Sequence, residues 1–264
     1  MKLFNKLLCA AVMSGVMASS AYAAKGTINM GSMSWEDLTP ITYVTKSILE
    51  KAGYEVKVTE FSEIGIAYAA LAKGDVQFMA SQIDYAAQDY WNRNKNRLEK
   101  LSPVSYGLYQ AVAVPKYVTI DSMEQLNENA DKFGDKIVGI EPGSGLMRDA
   151  ASAVKAYDLK LKLIDGSTAG MTAALKSAVD RKEWIAVTLW EPTWMMVKYD
   201  MKFLKDPKNV FPGPQAYYWI GKKGYAEANP EVREILAGIY LPLSAIGDIN
   251  VGMNDGQTVQ QASE

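Results

Sequence analysis

Short apolar runs alternate with longer helical periods along most of this chain. Such alternation is typical of α/β proteins in which helices cover mixed, mostly parallel sheets. The pattern predicts strands at 27–30, 55–60, 76–80, 112–114, 137–140, 160–164, 186–190 and 217–220. Apolar positions that recur every three and four residues predict helices at 38–52, 64–72, 85–97, 146–157, 168–181 and 230–239. We therefore expect an α/β fold.

The first residues have the pattern of a secretory signal. Lys2 and Lys6 make the start of the chain basic, and residues 7–18 form an apolar run. Ala21-Tyr22-Ala23 resembles the A-x-A pattern of small residues at a signal-peptide cleavage site. The apolar run is shorter than the roughly 20 residues that a membrane-spanning helix needs. We expect residues 1–23 to be a cleaved signal peptide, with a soluble, exported mature chain that begins near Ala24.

The content of histidine and cysteine excludes several kinds of chemistry. The chain has no histidine, and its one cysteine, Cys9, lies within the predicted signal. Histidine-dependent hydrolysis and histidine-ligated zinc are therefore excluded, as are disulfides and cysteine nucleophiles in the mature chain. Carboxylate chemistry of the glycosidase type stays open, although no sequence pattern pairs two acidic residues. We expect a protein without catalytic residues, metal or cofactor.

The charge distribution argues against nucleic acid as a partner. Without the two lysines of the signal, 26 basic residues stand against 30 acidic ones, so the mature chain is weakly acidic. A nucleic-acid site needs a basic stripe or patch, and the densest basic cluster, Arg93 to Lys100, is more typical of a solvated helix face.

Two indole rings follow one predicted strand. The segment Trp190-Glu191-Pro192-Thr193-Trp194 comes at the end of the apolar run 185–189, and open α/β sheets bind ligands at such strand ends. The face of an indole attracts a cation by about 2 kcal/mol or more when water is excluded. A quaternary ammonium group suits aromatic faces because it cannot donate hydrogen bonds. Core packing of both rings is the alternative that spacing leaves open.

Four segments, in the same order, resemble the substrate-binding proteins of ABC transporters for glycine betaine, choline and related osmolytes. Trp190 to Tyr199 (WEPTWMMVKY) is similar to the family's W-x-P-H-W-M-F segment, and Gly139 to Leu146 (GIEPGSGL) to its G-I-x-P-G-A-G-I turn. Val114 to Val118 (VPKYV) resembles the start of the second lobe. Trp35-Glu36-Asp37 falls where the family has a cage tryptophan, and its W-x-D spacing resembles the choline-binding branch.

The resemblance implies a two-lobed periplasmic binding protein fold of type II, with the ligand between the lobes. We expect lobe 1 to comprise residues 24–113 and 212–264, and lobe 2 residues 114–211. The implied function is to bind glycine betaine, choline or a close relative in the periplasm. The implied partners are this small ligand and the permease and ATPase of an ABC transporter, with the protein itself a monomer.

The resemblance also implies the ligand-binding residues. Tryptophans would face the methyl groups, and the turn before the helix at 146–157 would hold a carboxylate through its backbone N–H groups. A plain tight turn is the alternative for that segment. Asp37 or Glu36 would supply a counter-charge, and Asp37 would equally cap the helix that follows it. The expected ligand-binding residues are Trp35, Asp37, Gly143, Ser144, Gly145, Leu146, Trp190, Thr193 and Trp194.

Two departures from the family pattern leave the ligand open. Thr193 stands where the family has a histidine, and the segment 80–85 lacks a cage tryptophan. Trimethylamine N-oxide, carnitine or a sulfonate are alternative ligands, and a secreted carboxylate-dependent hydrolase is an alternative of another class. Rings that could replace the missing wall are Tyr68, Tyr85, Tyr109, Tyr217 and Trp219, and acidic side chains that could face a cation are Asp84 and Glu141.

Overall fold

The computed structural model describes residues 25–84 and 86–263. The predicted signal, Cys9 and Tyr85 lie outside these residues. The strands in chain order are β1 (Thr27–Met33), β2 (Glu55–Phe61), β3 (Phe78–Ser81), β4 (Leu98–Pro115), β5 (Lys136–Val138), β6 (Lys162–Ile164), β7 (Val187–Glu191), β8 (Met201–Phe203) and β9 (Gln215–Lys222).

Helices connect these strands. They are α1 (Leu38–Lys51), α2 (Ile64–Lys73), α3 (Gln88–Asn94), α4 (Gly145–Ala156), α5 (Thr168–Arg181), α6 (Trp194–Lys198), α7 (Tyr225–Ala228), α8 (Pro230–Ala237), α9 (Leu243–Asn254) and α10 (Val259–Ser263). Two 3₁₀ helices, Met123–Gln125 and Asn127–Phe133, precede β5. No helix in the described part of the chain is both long enough and apolar enough to cross a bilayer.

The strands form one mixed sheet in the order β2-β1-β3-β9-β4-β7-β5-β6, and β8 also pairs with β4. Pairing is parallel on both sides, where β1 lies between β2 and β3 and β5 lies between β6 and β7. It is antiparallel in the middle, around β4 and β9. The α/β prediction is confirmed, and the mixed character comes from the long middle strands.

The 18-residue strand β4 changes partners partway along its length. Residues up to Leu108 pair with β9, whereas residues from Tyr109 onward pair with β7 and β8. The sequence predicted only 112–114 as strand here. Three register shifts interrupt the β4–β9 ladder, and Pro103 and Gly107 lie in this stretch, so the period of two that marks a strand is broken. The proposed lobe bounds remain a prediction.

Most predicted elements are present with shifts of a few residues at their ends. The helix predicted at 85–97 is shorter, because α3 spans Gln88–Asn94 and the chain enters β4 at Leu98. Strand β8 and helices α6, α7, α9 and α10 were not predicted. Four of these five have five residues or fewer, too few for a period to be recognised.

Candidate functional site

A cavity lies beside the point where β4 changes partners. It has about 390 Å³ of empty space, counted to its open mouth. Loops at the carboxyl ends of parallel strands contribute to it, as in other open α/β sheets. Its lining residues are Trp35, Asp37, Gln82, Ala86, Leu108, Gln110, Ile140, Ser144, Gly145, Leu146 and Trp190.

The cavity brings together six of the nine residues expected from the sequence: Trp35, Asp37, Ser144, Gly145, Leu146 and Trp190. Gly143, Thr193 and Trp194 lie nearby but are not among its lining residues. Sequence reasoning missed Ala86, Leu108, Gln110 and Ile140, and noticed Gln82 only as a place where a tryptophan is absent. Gln82 directly follows β3, whose neighbour β1 precedes Trp35. Its position after a parallel strand could have identified it.

The carboxyl group of Asp37 is almost fully buried at this cavity. Its Oδ2 accepts hydrogen bonds from Gln82 Nε2 at 3.0 Å and from the Tyr217 hydroxyl at 2.8 Å. Burial raises the pKa of Asp37 to about 6, although these two hydrogen bonds act in the opposite direction. Asp37 is in the N-cap position of α1 but makes no side-chain capping bond there. The capping interpretation of Asp37 is therefore wrong.

Two tryptophans from distant parts of the chain share the cavity. Trp35 follows β1 and is half-buried, whereas Trp190 lies within β7 and is 5% exposed. In the described structure, no acceptor reaches Trp190 Nε1. Both indoles line a space that also contains the buried Asp37 carboxylate. Aromatic faces beside a buried anion favour a small cation as ligand.

The opposite wall is the N-terminus of α4. Ser144 is its N-cap residue, and the Ser144 hydroxyl oxygen accepts from Met147 N at 3.3 Å. Gly145 and Leu146 follow it in the first turn and line the cavity, where helix N–H groups favour an electronegative partner. Gly143 has another role, because its carbonyl oxygen accepts from the Tyr90 hydroxyl at 3.1 Å.

Gly145 lies close to the main chain of Ala86, another residue that lines the cavity. A Cβ atom built on Gly145 would lie 2.1 Å from the carbonyl oxygen of Ala86 and 2.6 Å from its Cα. These are backbone atoms, so rotation of a side chain cannot relieve the clash. The observed arrangement therefore requires glycine at position 145.

Thr193 and Trp194 contact the loop after β1 beside the cavity. The Thr193 hydroxyl donates to Glu36 Oε2 at 2.7 Å, and Trp194 Nε1 donates to Glu36 Oε1 at 2.5 Å. Burial raises the pKa of Glu36, and the two hydrogen bonds oppose that shift. We call this set the Glu36 contact. On another flank, Arg148 pairs with Asp89 at 2.8 Å.

The other candidates from the sequence lie away from the cavity. Tyr68 bonds Ser81, Tyr109 packs on Phe203, and Trp219 packs on Phe78. Tyr217 touches the site only through its hydrogen bond to Asp37. The Glu141 carboxylate accepts from the backbone N–H and hydroxyl of Thr168 at the start of α5. Asp84 is exposed and pairs with Lys100 at 3.5 Å.

Replacing Glu36 with alanine is expected to weaken ligand binding about tenfold, because two hydrogen bonds that hold the cavity's sides together are lost, at roughly 1 kcal/mol or slightly more. Glu36 does not line the cavity, so calorimetry should find the same relative loss for every ligand. Thr193→Val, which removes one donor, should give a smaller loss. A loss confined to one ligand would contradict a purely structural role for Glu36.

Comparison with known proteins gives a consistent pattern. The family model described as the substrate binding domain of ABC-type glycine betaine transport system matches residues 26–264. The glycine betaine/carnitine transport binding protein GbuC of Listeria monocytogenes is 35% identical over 149 residues. That match covers 55% of this chain and 50% of GbuC, so the aligned part spans half the length of that relative.

Two solved structures are similar over most of their lengths. Lactococcal OpuAC, closed and complexed with glycine betaine, has a TM-score of 0.84 and 27% identity, covering 90% of this chain and 93% of that one. An ABC-transporter choline binding protein in complex with choline has a TM-score of 0.78, with 23% identity and 90% and 86% coverage. The second likeness shows the fold alone. Both support the two-lobed architecture expected from the sequence.

Proposed function

This chain belongs to the family of substrate-binding domains of ABC-type glycine betaine transport systems, and we propose that it binds a quaternary ammonium compound, with glycine betaine and choline as the first candidates. The observation that carries the proposal is the shared cavity of Trp35, Trp190 and Asp37. Two indoles would surround the methyl groups, and a buried carboxylate would balance the positive charge. The N-terminus of α4 would receive a hydroxyl or carboxylate at the ligand's other end.

The charges of the cavity favour a cation over an anion. Asp37 is its one ionisable lining residue in the described structure, and neither lysine nor arginine appears in that lining. A sulfonate would approach the Asp37 carboxylate without a cationic side chain to offset the repulsion. A carboxylate-dependent hydrolase needs two carboxyl groups that flank the reacting bond, whereas the described lining supplies one. We propose that the protein performs no chemistry.

Transport would follow from closure over the ligand. The Glu36 contact and the close approach of Gly145 to Ala86 hold the cavity's sides together. A ligand that contacts both sides stabilises the closed conformation over an open one. A permease can recognise the closed conformation and so distinguish the liganded protein from the free one. We propose that the protein is exported through its N-terminal signal, acts in the periplasm as a monomer, and delivers its ligand to the permease and ATPase of an ABC importer.

Calorimetric titration of residues 24–264 tests this function. The ligands are glycine betaine, choline, carnitine, trimethylamine N-oxide and taurine. We expect saturable binding of at least one methylated ammonium compound and none of taurine. A response to taurine alone would replace the cation proposal with an anion site, and silence for all five compounds would refute the assigned ligand class.

Trp190→Ala is expected to weaken binding of the methylated ammonium ligand about tenfold, since a desolvated cation–aromatic contact and its buried area together contribute about 1–3 kcal/mol. The matched control is Trp184→Ala, because Trp184 packs on Phe133 outside the cavity. Calorimetry should show a loss for the first variant and near-normal affinity for the second. Unchanged affinity in folded Trp190→Ala protein would remove this ring from the site.

A further inference from the structure

Gln82 occupies a wall of the cavity that the sequence comparison left without a ring. It directly follows β3, is 3% exposed and lines the cavity. Its Nε2 donates to Asp37 Oδ2 at 3.0 Å. Only the nitrogen end of an amide can donate to an ionised carboxylate, so this bond fixes which way the Gln82 amide is oriented.

The carbonyl oxygen at the other end of this amide has no donor. Within the described residues, Gln82 Oε1 is buried and accepts no hydrogen bond. A buried acceptor without a partner is costly in a native protein and points to a missing donor. The cavity is the space beside Gln82 from which a ligand could supply that donor.

A second amide in the lining has a similar orientation. Gln110, on β4, is buried and donates from Nε2 to Asp149 Oδ2 at 3.2 Å. Asp149 is also paired with Arg148 Nε at 3.1 Å, so it accepts as an anion. The nitrogen ends of both cavity amides are therefore held by carboxylates. Each nitrogen keeps a second N–H, but the buried atom of these amides that has no partner within the described residues is the acceptor oxygen of Gln82.

A fully methylated ammonium group cannot satisfy such an acceptor. A quaternary nitrogen has no N–H, and its methyl groups would leave Gln82 Oε1 unpaired. An ammonium group that keeps one N–H could donate to Gln82 Oε1 while its remaining methyl groups face Trp35 and Trp190. If an aromatic ring stood in place of Gln82, that N–H would have no strong acceptor on this wall, since a ring face is a weaker acceptor than an amide oxygen.

We propose that Gln82 is a specificity-determining residue that extends the ligand range to protonated amines with an N–H, such as dimethylated ammonium compounds, and favours them over their trimethylated counterparts. The inference rests on the proposed function, because it concerns the same cavity and the same cationic class. It adds a polar preference that an aromatic cage alone would not have.

The test compares matched ligand pairs that differ by one methyl group on nitrogen. Choline is paired with N,N-dimethylethanolamine and glycine betaine with N,N-dimethylglycine, all titrated by calorimetry at pH 7.5. In the wild-type protein we expect the dimethylated member of the better-binding pair to bind about tenfold more tightly. Tighter binding of the trimethylated member in that pair would overturn the inference and leave the proposed function intact.

Gln82→Met tests whether the preference comes from this amide. Methionine keeps the length of the side chain and removes the acceptor, so the ratio of the two affinities should shift about tenfold toward the trimethylated ligand. A ratio is insensitive to a general loss of folded protein. A second variant, Gln82→Leu, gives the same test with a branched side chain. An unchanged ratio in folded variants would overturn the role of Gln82.

Failure of all four compounds to bind the wild type would refute the proposed function and, with it, this inference.

Discussion

Replacing Gly145 with alanine is expected to weaken ligand binding about a hundredfold while leaving the protein folded. The new Cβ would lie 2.1 Å from the carbonyl oxygen of Ala86, more than 1 Å inside an ordinary contact. The Cβ is fixed to the main chain of residue 145 and the atoms of Ala86 that it meets are main-chain atoms, so the two sides of the cavity would have to separate. Overpacking of this kind costs roughly 1–3 kcal/mol, and at about 1.4 kcal/mol per tenfold the upper end corresponds to about a hundredfold in affinity.

Stability should respond in a different way from affinity. Gly145 is the first residue of α4, and alanine favours a helix over glycine by up to about 1 kcal/mol. Each side of the cavity should therefore fold as before, and thermal unfolding without ligand should change little. Small-angle scattering with saturating ligand should show less compaction than in the wild type.

Gly143→Ala is the matched control for this variant. It makes the same substitution two residues earlier, where a Cβ would have its nearest neighbours at 3.4 and 3.7 Å, which are ordinary contacts. We expect affinity within about threefold of the wild type. Wild-type affinity in Gly145→Ala protein would mean that Gly145 and Ala86 do not meet in the ligand-bound form.

Replacing Asp37 with asparagine is expected to weaken binding of a cationic ligand about a hundredfold at pH 7.5. Loss of one member of a buried charge pair costs about 2–5 kcal/mol, and Asp37 is the buried carboxylate of the described cavity. Asparagine keeps the shape of the side chain and can still accept from Tyr217. Calorimetry against the best cationic ligand measures the loss. Unaltered affinity would show that the cation does not depend on Asp37.

The pH dependence of binding gives an independent check on Asp37. Burial raises its pKa from 3.8 to about 6 in the unliganded protein, so a cation must displace a proton at lower pH. Affinity should therefore fall about tenfold between about pH 7 and pH 5. In Asp37→Asn protein this dependence should largely disappear. A similar fall in both proteins would assign the pH dependence to another group, such as Glu36. Burial also raises the pKa of Glu36.

Stability without ligand should change with pH in the opposite sense. Because the pKa of Asp37 is raised in the folded state, the folded protein holds a proton that the unfolded chain releases between about pH 4 and pH 6. The contribution of Asp37 to the free energy of unfolding should fall by up to about 3 kcal/mol as pH rises through this window. Asp37→Asn should remove that contribution, which denaturant unfolding at several pH values can measure.

Local patterns carried much of the information about the fold. Helices α1, α2, α4, α5 and α8 and most strands were predicted within a few residues, because their apolar periods are long and their ends carry glycine or serine. At the end of α2, for example, Gly74 has a φ of +95° that favours glycine. Strand β4 was mostly missed because its bulges interrupt the alternation of side chains.

The candidate site divides in a similar way. The sequence indicated Trp35, Trp190 and the turn at Ser144 because motifs mark strand ends, and strand ends converge in an α/β sheet. The resemblance to the family's W-x-P-H-W-M-F segment grouped Thr193 and Trp194 with them, whereas in the structure both donate to Glu36 beside the cavity. Their predicted contact with ligand stays a prediction.

The sequence by itself determined the alternating α/β architecture, the absence of histidine chemistry and the segments that supply most of the predicted residues lining the cavity. Only the tertiary structure decided that Asp37 is a buried carboxylate rather than a helix cap, that Gly145 meets Ala86, and that Gln82 has an acceptor left unpaired by the described residues. The physical reason is that periodicity and capping are local properties of neighbouring residues. Burial, hydrogen-bond partners and close approach depend instead on residues far apart in the chain, which the crossing of β4 brings together.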